Sequence, residues 1–462
     1  MLIVGAGITG ALMAERLTRQ GRQVVIIDRE LPSLGSTVAS TAMLLWEIDR
    51  PLFELAQLYG FEKAVRCYRA SHHAAQGLPS LVWQHGIACQ MRRRLSLYLV
   101  VDDSPNLVQD ECALRGRADL PSLYLDHAAL LKRFGIARAG ALLSRDAADA
   151  DPVLLTHGLL DISLQRGARL LKANAVAYDS TAQSVTVGLE NGLSIEARQV
   201  VLATGYVMPD IVRPTAQQPA SSWAIASRRQ PGHLWPEQAL IWEASRNYHY
   251  ARTTTDGRII LGGEDDRALI EPHARATPAK VRALKDYLKA LWPHASEDVA
   301  FGWSGAFDTT HDGLPLIGRV PGSKNIFAAF GYGGNGITFS FLAVELMAAM
   351  FAGGSSPLFD DLAIDRDFPA KTRDQAAQHE GDEQRGQRSL SHHITQKRER
   401  LARRLPFFQL SCCDCASSLR AAPDPPFPAP SIWAIDRRRN RSYCERCGRT
   451  RCFSNEGDPR PF

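Results

Sequence analysis

Apolar positions along this chain fall into two rhythms, and the switches between them mark its elements. "MLIVGAG" is a short apolar run that predicts a buried strand. In "ITGALMAERLTRQG", Ala11, Leu12, Ala14 and Leu17 share one helical face and Gly21 is a stop signal. "RQVVIIDRE" is a second apolar strand ending in Asp28. Helical spacing returns over about residues 52–75 and in "LDHAALLKRFG", the latter inside a mixed stretch with short strands. "DPVLLTHGLLDISLQRGARLLK" predicts a helix closed by Gly167. A β-rich region follows, with hairpin signals at "ENG" and "TTDG". "TPAKVRALKDYLKALWP" predicts an amphipathic helix with Thr277 as N-cap and Pro278 at the first helical position. "NIFAAFGYGGNGITFSFLAVELMAAMFAGG" reads as strand, glycine loop and apolar helix, and "SPLFDDLAIDRDF" closes the ordered body.

After about residue 371 the periodicity is lost. "TRDQAAQHEGDEQRGQRSLSHH" is polar and low in complexity, and "APDPPFPAPS" is proline-rich. Disorder is expected there, with one short helix in "TQKRERLARRL".

Composition narrows the class. The chain has 462 residues, 45% of them hydrophobic, which is globular composition with room for two or three domains. The most apolar run, "ITFSFLAVELMAAMF", carries Glu345 and is shorter than the roughly 20 residues a bilayer requires, so no integral membrane segment is expected. No basic stretch precedes the apolar N-terminus, so it is not read as a signal peptide, and a cytoplasmic protein is expected. The net charge of +5 belongs to the tail: residues 371–462 hold 18 Lys and Arg against 11 Asp and Glu, and the remainder 36 against 38. The body therefore gives no electrostatic reason to expect nucleic acid. Only Cys67, Cys89 and Cys112 lie in the body, widely spaced, as in a reduced protein.

The strand–helix–strand opening holds Gly5, Gly7 and Gly10 in a G-x-G-x-x-G. In such a loop the first glycine allows the turn, the second lets a pyrophosphate approach, and the third packs helix on strand. The helix N-terminus offers free N–H groups to phosphates, and Asp28 stands where a carboxylate meets ribose hydroxyls. Two further loops follow apolar strands: Ala203-Thr204-Gly205 after "RQVVL", and "GYGGNGIT" before the last helix. Three strand-end loops suit a long cofactor with two recognition ends, FAD rather than NAD.

Here the sequence resembles the D-amino-acid oxidase / glycine oxidase / sarcosine oxidase superfamily of FAD-dependent oxidoreductases. The matching stretches are "LIVGAGITGALMAERL", "LGSTVASTAMLLWEID", "VVLATGY", "TTDGRIILGGED" and "WSGAFDTTHDGLPLIGRVPGSKNIFAAFGYGGNGITFS", in the family's order over about residues 1–370. The resemblance implies an α/β fold: a Rossmann-like FAD-binding domain from residues 1–75, 150–215 and 300–370, with an inserted β-rich (α+β) substrate-binding domain from 76–149 and 216–299. Residues 371–462 are then a disordered, basic, Cys-rich tail. Relatives usually carry a few more residues before the first glycine than Met1–Val4, so an upstream start is expected.

By the same resemblance, Gly5, Ala6, Gly7, Ile8, Thr9 and Gly10 hold the pyrophosphate, and Asp28 with Arg29 meets the adenosine ribose. Ser36, Thr37, Ser40 and Thr41 line the ribityl–flavin side. Val176 contacts adenine through its backbone, and Ala203, Thr204 and Gly205 back the nucleotide. Gly333, Gly334, Asn335, Gly336 and Ile337 meet the flavin pyrimidine edge, where N–H groups and a helix dipole stabilise the charge of the reduced ring. "GWSGAFDTTHDG" holds no Cys and the loop after the second strand no His, so FAD is expected to be non-covalent.

The family oxidises C–N bonds of amines or amino acids by hydride transfer to flavin, with O2 or another acceptor taking the electrons. In "NYHYARTTTDGRIILGG" Tyr248, Tyr250 and Arg252 share one strand face and His249 takes the other. Arg252 can pair with a substrate carboxylate, and Tyr250 can wall an amine site, so these two are the candidate catalytic residues. Trp46 either covers the flavin or packs, His311 lies near the expected flavin, and Arg92–Arg94 read as a solvated face or strand edge. The alternatives are a flavoprotein that binds FAD without oxidising a small molecule, as a subunit or tRNA-modifying domain, or a damaged gene product. Cys412, Cys415, Cys444 and Cys447 have paired C-x2-C form, but the intervening gap exceeds that of a zinc site, so no metal is expected.

Overall fold

The structure, a computed structural model, describes residues 1–101, 105–212, 217–245, 248–266, 277–296 and 298–369. The expected tail helix and tail cysteine pairs lie outside the described residues.

β1 (Leu2–Val4), α1 (Ile8–Arg19) and β2 (Val25–Asp28) form the predicted opening unit, with β1 and β2 paired in parallel. β1 is buried throughout because helices and a small sheet cover both faces, which is why it reads as an unbroken apolar run. On the far side of β1, strand Val200–Leu202 pairs with it, and Ile326–Phe330 pairs with that, all in parallel. Arg169–Lys172 extends the sheet beyond β2, and Leu316–Arg319 closes the other edge antiparallel, giving six strands. α1 turns Ala11, Leu12, Ala14 and Leu17 into a core shared with helices Phe61–His85, Pro152–Gln165 and Gly336–Phe351. A three-stranded sheet, Ala175–Ser180, Val185–Leu189 and Ser194–Ala197, includes the hairpin at "ENG".

The larger sheet has nine strands, with Tyr250–Thr253 and Ile259–Asp266 joined through "TTDG" near its middle. It is mostly antiparallel, and its faces differ by alternation. One face carries Ile225, Ala251 and Leu261 onto helices His127–Phe134 and Pro278–Leu291, through Leu130, Phe134, Leu284 and Leu288. Thr277 caps the second helix by accepting from Lys280 N, as its sequence predicts. The opposite face presents Ser222, Trp242 and Tyr250 to a cavity between the sheets.

The helical spacing read over about 52–75 belongs to two helices, Leu52–Tyr59 and Phe61–His85, broken where Gly60 takes φ +83°. The segment Gly333–Phe351, 19 residues of mean hydropathy 1.4, is long and apolar enough by length and composition to cross a membrane, and 67% of it is buried inside the fold. Its apolarity is used against α1 and Phe61–His85.

Candidate active site

The cavity opens at the carboxyl ends of the parallel strands, where ligands of such sheets bind. Gly5 has φ +111°, and a Cβ there would overlap the Ala203 carbonyl. A Cβ on Gly10 would overlap the Gly5 carbonyl, so this glycine lets α1 sit tightly on β1. Gly7 faces the cavity, with only the Thr37 Oγ1 near a Cβ, at 3.2 Å. Backbone N–H groups of the loop are pinned from both sides: Ala6 N donates to Asp28 Oδ2 (2.7 Å) and Ile8 N to Thr37 Oγ1 (3.1 Å). Asp28 Oδ1 also accepts from Glu30 N at 2.9 Å. The buried Ser33 Oγ lines the cavity and has no hydrogen-bond partner. A backbone cradle, a helix N-terminus and an orphaned buried hydroxyl fit the pyrophosphate and ribose of a dinucleotide.

The third loop is locked to the segment after Met43–Leu44. Asn335 Nδ2 donates to Glu47 O (2.7 Å), Thr338 Oγ1 to Leu45 O (2.9 Å), and Gly334 N to Asp49 Oδ2 (2.7 Å). This sets the N-terminus of Gly336–Phe351 facing the cavity.

The cavity holds about 1000 Å³, the upper end for small-ligand sites and enough for a long cofactor with a small second molecule. Every residue expected at the cofactor lines it except Ala6 and Gly10. Those two act beneath the surface, Ala6 through its N–H on Asp28 and Gly10 through helix–strand packing. No Cys or His is among the described residues that line it.

At the Gly333 side stand Tyr248 and Tyr250, with ring centroids 6.0 Å apart. The Tyr250 hydroxyl is 3.1 Å from Ser222 Oγ. Burial pushes both phenols further above their ordinary range, so they are neutral donors. Arg252 corrects an expectation. It shares the Tyr250 face, but the segment carrying Thr41 covers it. Its Nε donates to Thr41 O, and its Nη groups meet Ala150 O (3.4 Å) and Asp149 (3.5 Å). It is 8% exposed, does not line the cavity, and is not free to meet a substrate carboxylate.

Trp46 packs: it is fully buried, its Nε1 donates to Arg145 O at 2.8 Å, and Arg115 lies over its ring. His311 lies outside the cavity beside Gln218. Arg92 and Arg94 are not a solvated face but converge on buried Asp149, while Arg93 covers the Trp83 ring. His249, on the other face of its strand, bridges Glu243 (3.0 Å) and Glu264 (3.2 Å) and stacks on Tyr287 at 3.8 Å.

Asp49 and Asp265 are the site residues that sequence reasoning missed. Both open onto the cavity. Desolvation by the surrounding protein raises Asp49 from 3.8 to about 6, with the Gly334 N–H opposing and Asp265 reinforcing the shift. Desolvation also raises Asp265. A signal for Asp49 existed: Met43, Leu45, Glu47 and Asp49 all line the cavity with the period of an extended chain.

Known proteins match on this ground. The family described as "DAO: FAD dependent oxidoreductase" matches residues 1–350. Gamma-glutamylputrescine oxidoreductase of Escherichia coli (strain K12) is 23% identical over 372 residues, covering 76% of this chain and 83% of that protein. Glycine oxidase from Geobacillus kaustophilus superposes with a TM-score of 0.68 at 19% identity, over 79% of this chain and 98% of that one. L-proline dehydrogenase from P. horikoshii superposes with a TM-score of 0.66 at 18% identity, over 77% and 94%. The glycine cradle, the three strand-end loops and a match over residues 1–350 make this chain a member of the DAO family of FAD-dependent oxidoreductases.

Proposed function

We propose that this protein oxidises a C–N bond of a small amine or amino acid, with FAD held non-covalently in the cavity described above. One observation carries the reading: the glycine cradle and the Tyr248–Tyr250 chamber belong to one continuous cavity. When bound, FAD supplies a two-electron acceptor for hydride.

The chain's residues do the remainder. Gly7 and the N-terminus of α1 bind the pyrophosphate, with Asp28 keeping the loop in shape through Ala6 N and Glu30 N. Glycines 333, 334 and 336, with Asn335 and Ile337, present a helix N-terminus to the negative charge that reduction creates. Tyr248 and Tyr250 wall the substrate end of the cavity and exclude water from it; the nitrogen being oxidised must be unprotonated for its α-carbon to give up hydride. An amine R–CH2–NH2 loses that hydride to become R–CH=NH2+, and water then gives an aldehyde and ammonium. The electrons pass to O2 or another acceptor. The absence of Cys and His among the described cavity residues supports non-covalent binding, and the three free cysteines among the described residues fit a cytoplasmic setting.

The test is product stoichiometry. Purified holoprotein with an amine substrate and an electron acceptor yields one carbonyl and one ammonium or amine for every two electrons transferred. Electron transfer with no carbonyl formed overturns C–N oxidation. Yellow colour remaining on acid-precipitated protein overturns non-covalent attachment.

A further inference from the structure

Seven carboxyl side chains line the cavity, while the only basic side chain among the described residues there is Arg29. Arg29 follows β2, three strand spacings, about 14 Å, from the strand that leads into Gly333. Some of the carboxylates are satisfied. Asp28 holds two N–H groups, and Asp308 accepts from Gly331 N (2.9 Å) and Gln217 Nε2 (2.7 Å). Those near the tyrosines are not balanced. Asp49 and Asp265 repel each other. Asp265 has a hydrogen bond from Ser222, but the two cations that act on it are shared with other acids: Lys280 lies 3.1 Å from Asp266 and 2.6 Å from the Glu264 carbonyl, and His249 bridges Glu243 and Glu264. Glu47 is 1% exposed and lines the same wall, yet neither of its oxygens accepts a hydrogen bond, and its nearest cation, Arg115, is 3.9 Å away.

The point where these groups meet is narrow. A Cβ built on Gly334 would lie 2.9 Å from Asp49 Oδ1 and 3.1 Å from the Tyr248 hydroxyl. An anionic chamber faced with aromatic rings is chemistry for an ammonium ion. Carboxylates also raise the pKa of an amine beside them, so an amine held there stays protonated. A protonated amine has no lone pair to drive hydride loss, so it is not the nitrogen being oxidised.

We propose that the substrate is a di- or polyamine without an α-carboxylate, one amine being oxidised as the free base while a second, as ammonium, is anchored by Asp49 and Asp265 against Tyr248 and Tyr250. This rests on the amine-oxidising reading above. Arg252, the group expected to meet a carboxylate, is already engaged.

The test is anaerobic reduction of the holoprotein by 1,4-diaminobutane, n-butylamine, glycine, sarcosine and D-alanine, followed at the flavin band. Half-saturation with the diamine is expected at a concentration at least tenfold below that of n-butylamine, with the amino acids weaker still. Asp49→Asn is expected to raise the diamine value at least tenfold relative to the n-butylamine value, a split that general damage to the fold would not produce. Asp265→Asn gives the same split if the first variant does not fold. Equal or better reduction by the amino acids overturns the diamine proposal and leaves C–N oxidation standing. Equal responses to the diamine and n-butylamine also overturn it. No reduction by any amine, in protein whose flavin dithionite reduces, defeats both.

Discussion

The two ends of the cavity are made by different means. The nucleotide end is backbone: Gly5, Gly7 and Gly10, a helix N-terminus, and one carboxylate that fixes the loop. The other end is side chains brought from Asp49, from Ser222 and from the hairpin that carries the Tyr248–Tyr250 pair and Asp265. A backbone cradle tolerates nothing where it is tight, because an added Cβ meets a carbonyl that cannot move. A side-chain chamber tolerates replacement and changes what it recognises. One end therefore holds a constant partner while the other sets selectivity.

The sharpest way to break this contrast is inside the cradle. Gly10→Ala places a Cβ on the Gly5 carbonyl and is expected to lower stability by about 3 kcal/mol or more, with loss of FAD. Thermal unfolding and the visible spectrum check both. Arg252→Ala is expected to lower stability by about 3 kcal/mol, because it empties a buried site and strips one cation from Asp149. Its relative rates on carboxylated and uncarboxylated amines should not change. A selective loss on carboxylated substrates would return Arg252 to the substrate site.

Gly7→Ala is expected to fold and to weaken FAD binding about tenfold, since its Cβ enters the cavity and meets only the Thr37 Oγ1, at 3.2 Å, among protein atoms. Equilibrium dialysis of the cofactor measures this. At the other end, Asp49 titrates at about 6, facing Asp265, Tyr248 and the Gly334 N–H. Below that pH it gains a proton and loses its charge. The half-saturating concentration of a cationic substrate should therefore rise as pH falls through about 6, by up to tenfold per pH unit. A flat profile in wild type, or an unchanged one in Asp49→Asn, contradicts the assignment.

The smallest effect concerns His249, behind the tyrosines. Burial opposes its charged form, but the hydrogen bonds and charges of Glu243 and Glu264 outweigh this and raise its pKa above 6.5. Its stabilising effect is complete below pH 6.5 and fades as pH rises through the raised native value. Wild type should exceed His249→Gln by about 1 kcal/mol at pH 6, and the gap should narrow above pH 7. Denaturant unfolding at the two pH values measures it.

The same contrast explains what could be read from the sequence. The cradle was legible because its physics is local: glycine spacing, an acid at the end of β2, and apolar strands on both sides lie within 28 residues. Thr277, Asp28 and both hairpins were legible for the same reason. The chamber was not, because its members meet only after strands far apart in the chain have paired. Alternation put Arg252 on the correct face of its strand. It carried no information that the segment bearing Thr41 would lie over that face. Asp49 was hidden because "MLLWEID" reads as core, while in the fold its odd-numbered residues face the cavity and Trp46 alone suggested a role.

The most direct measurement is the absorbance of anaerobic holoprotein at about 450 nm on mixing with an amine. Bleaching to the fully reduced flavin is expected, with one amine consumed per flavin and 1,4-diaminobutane acting at the lowest concentration. A flavin that dithionite bleaches but no amine or amino acid does would contradict it.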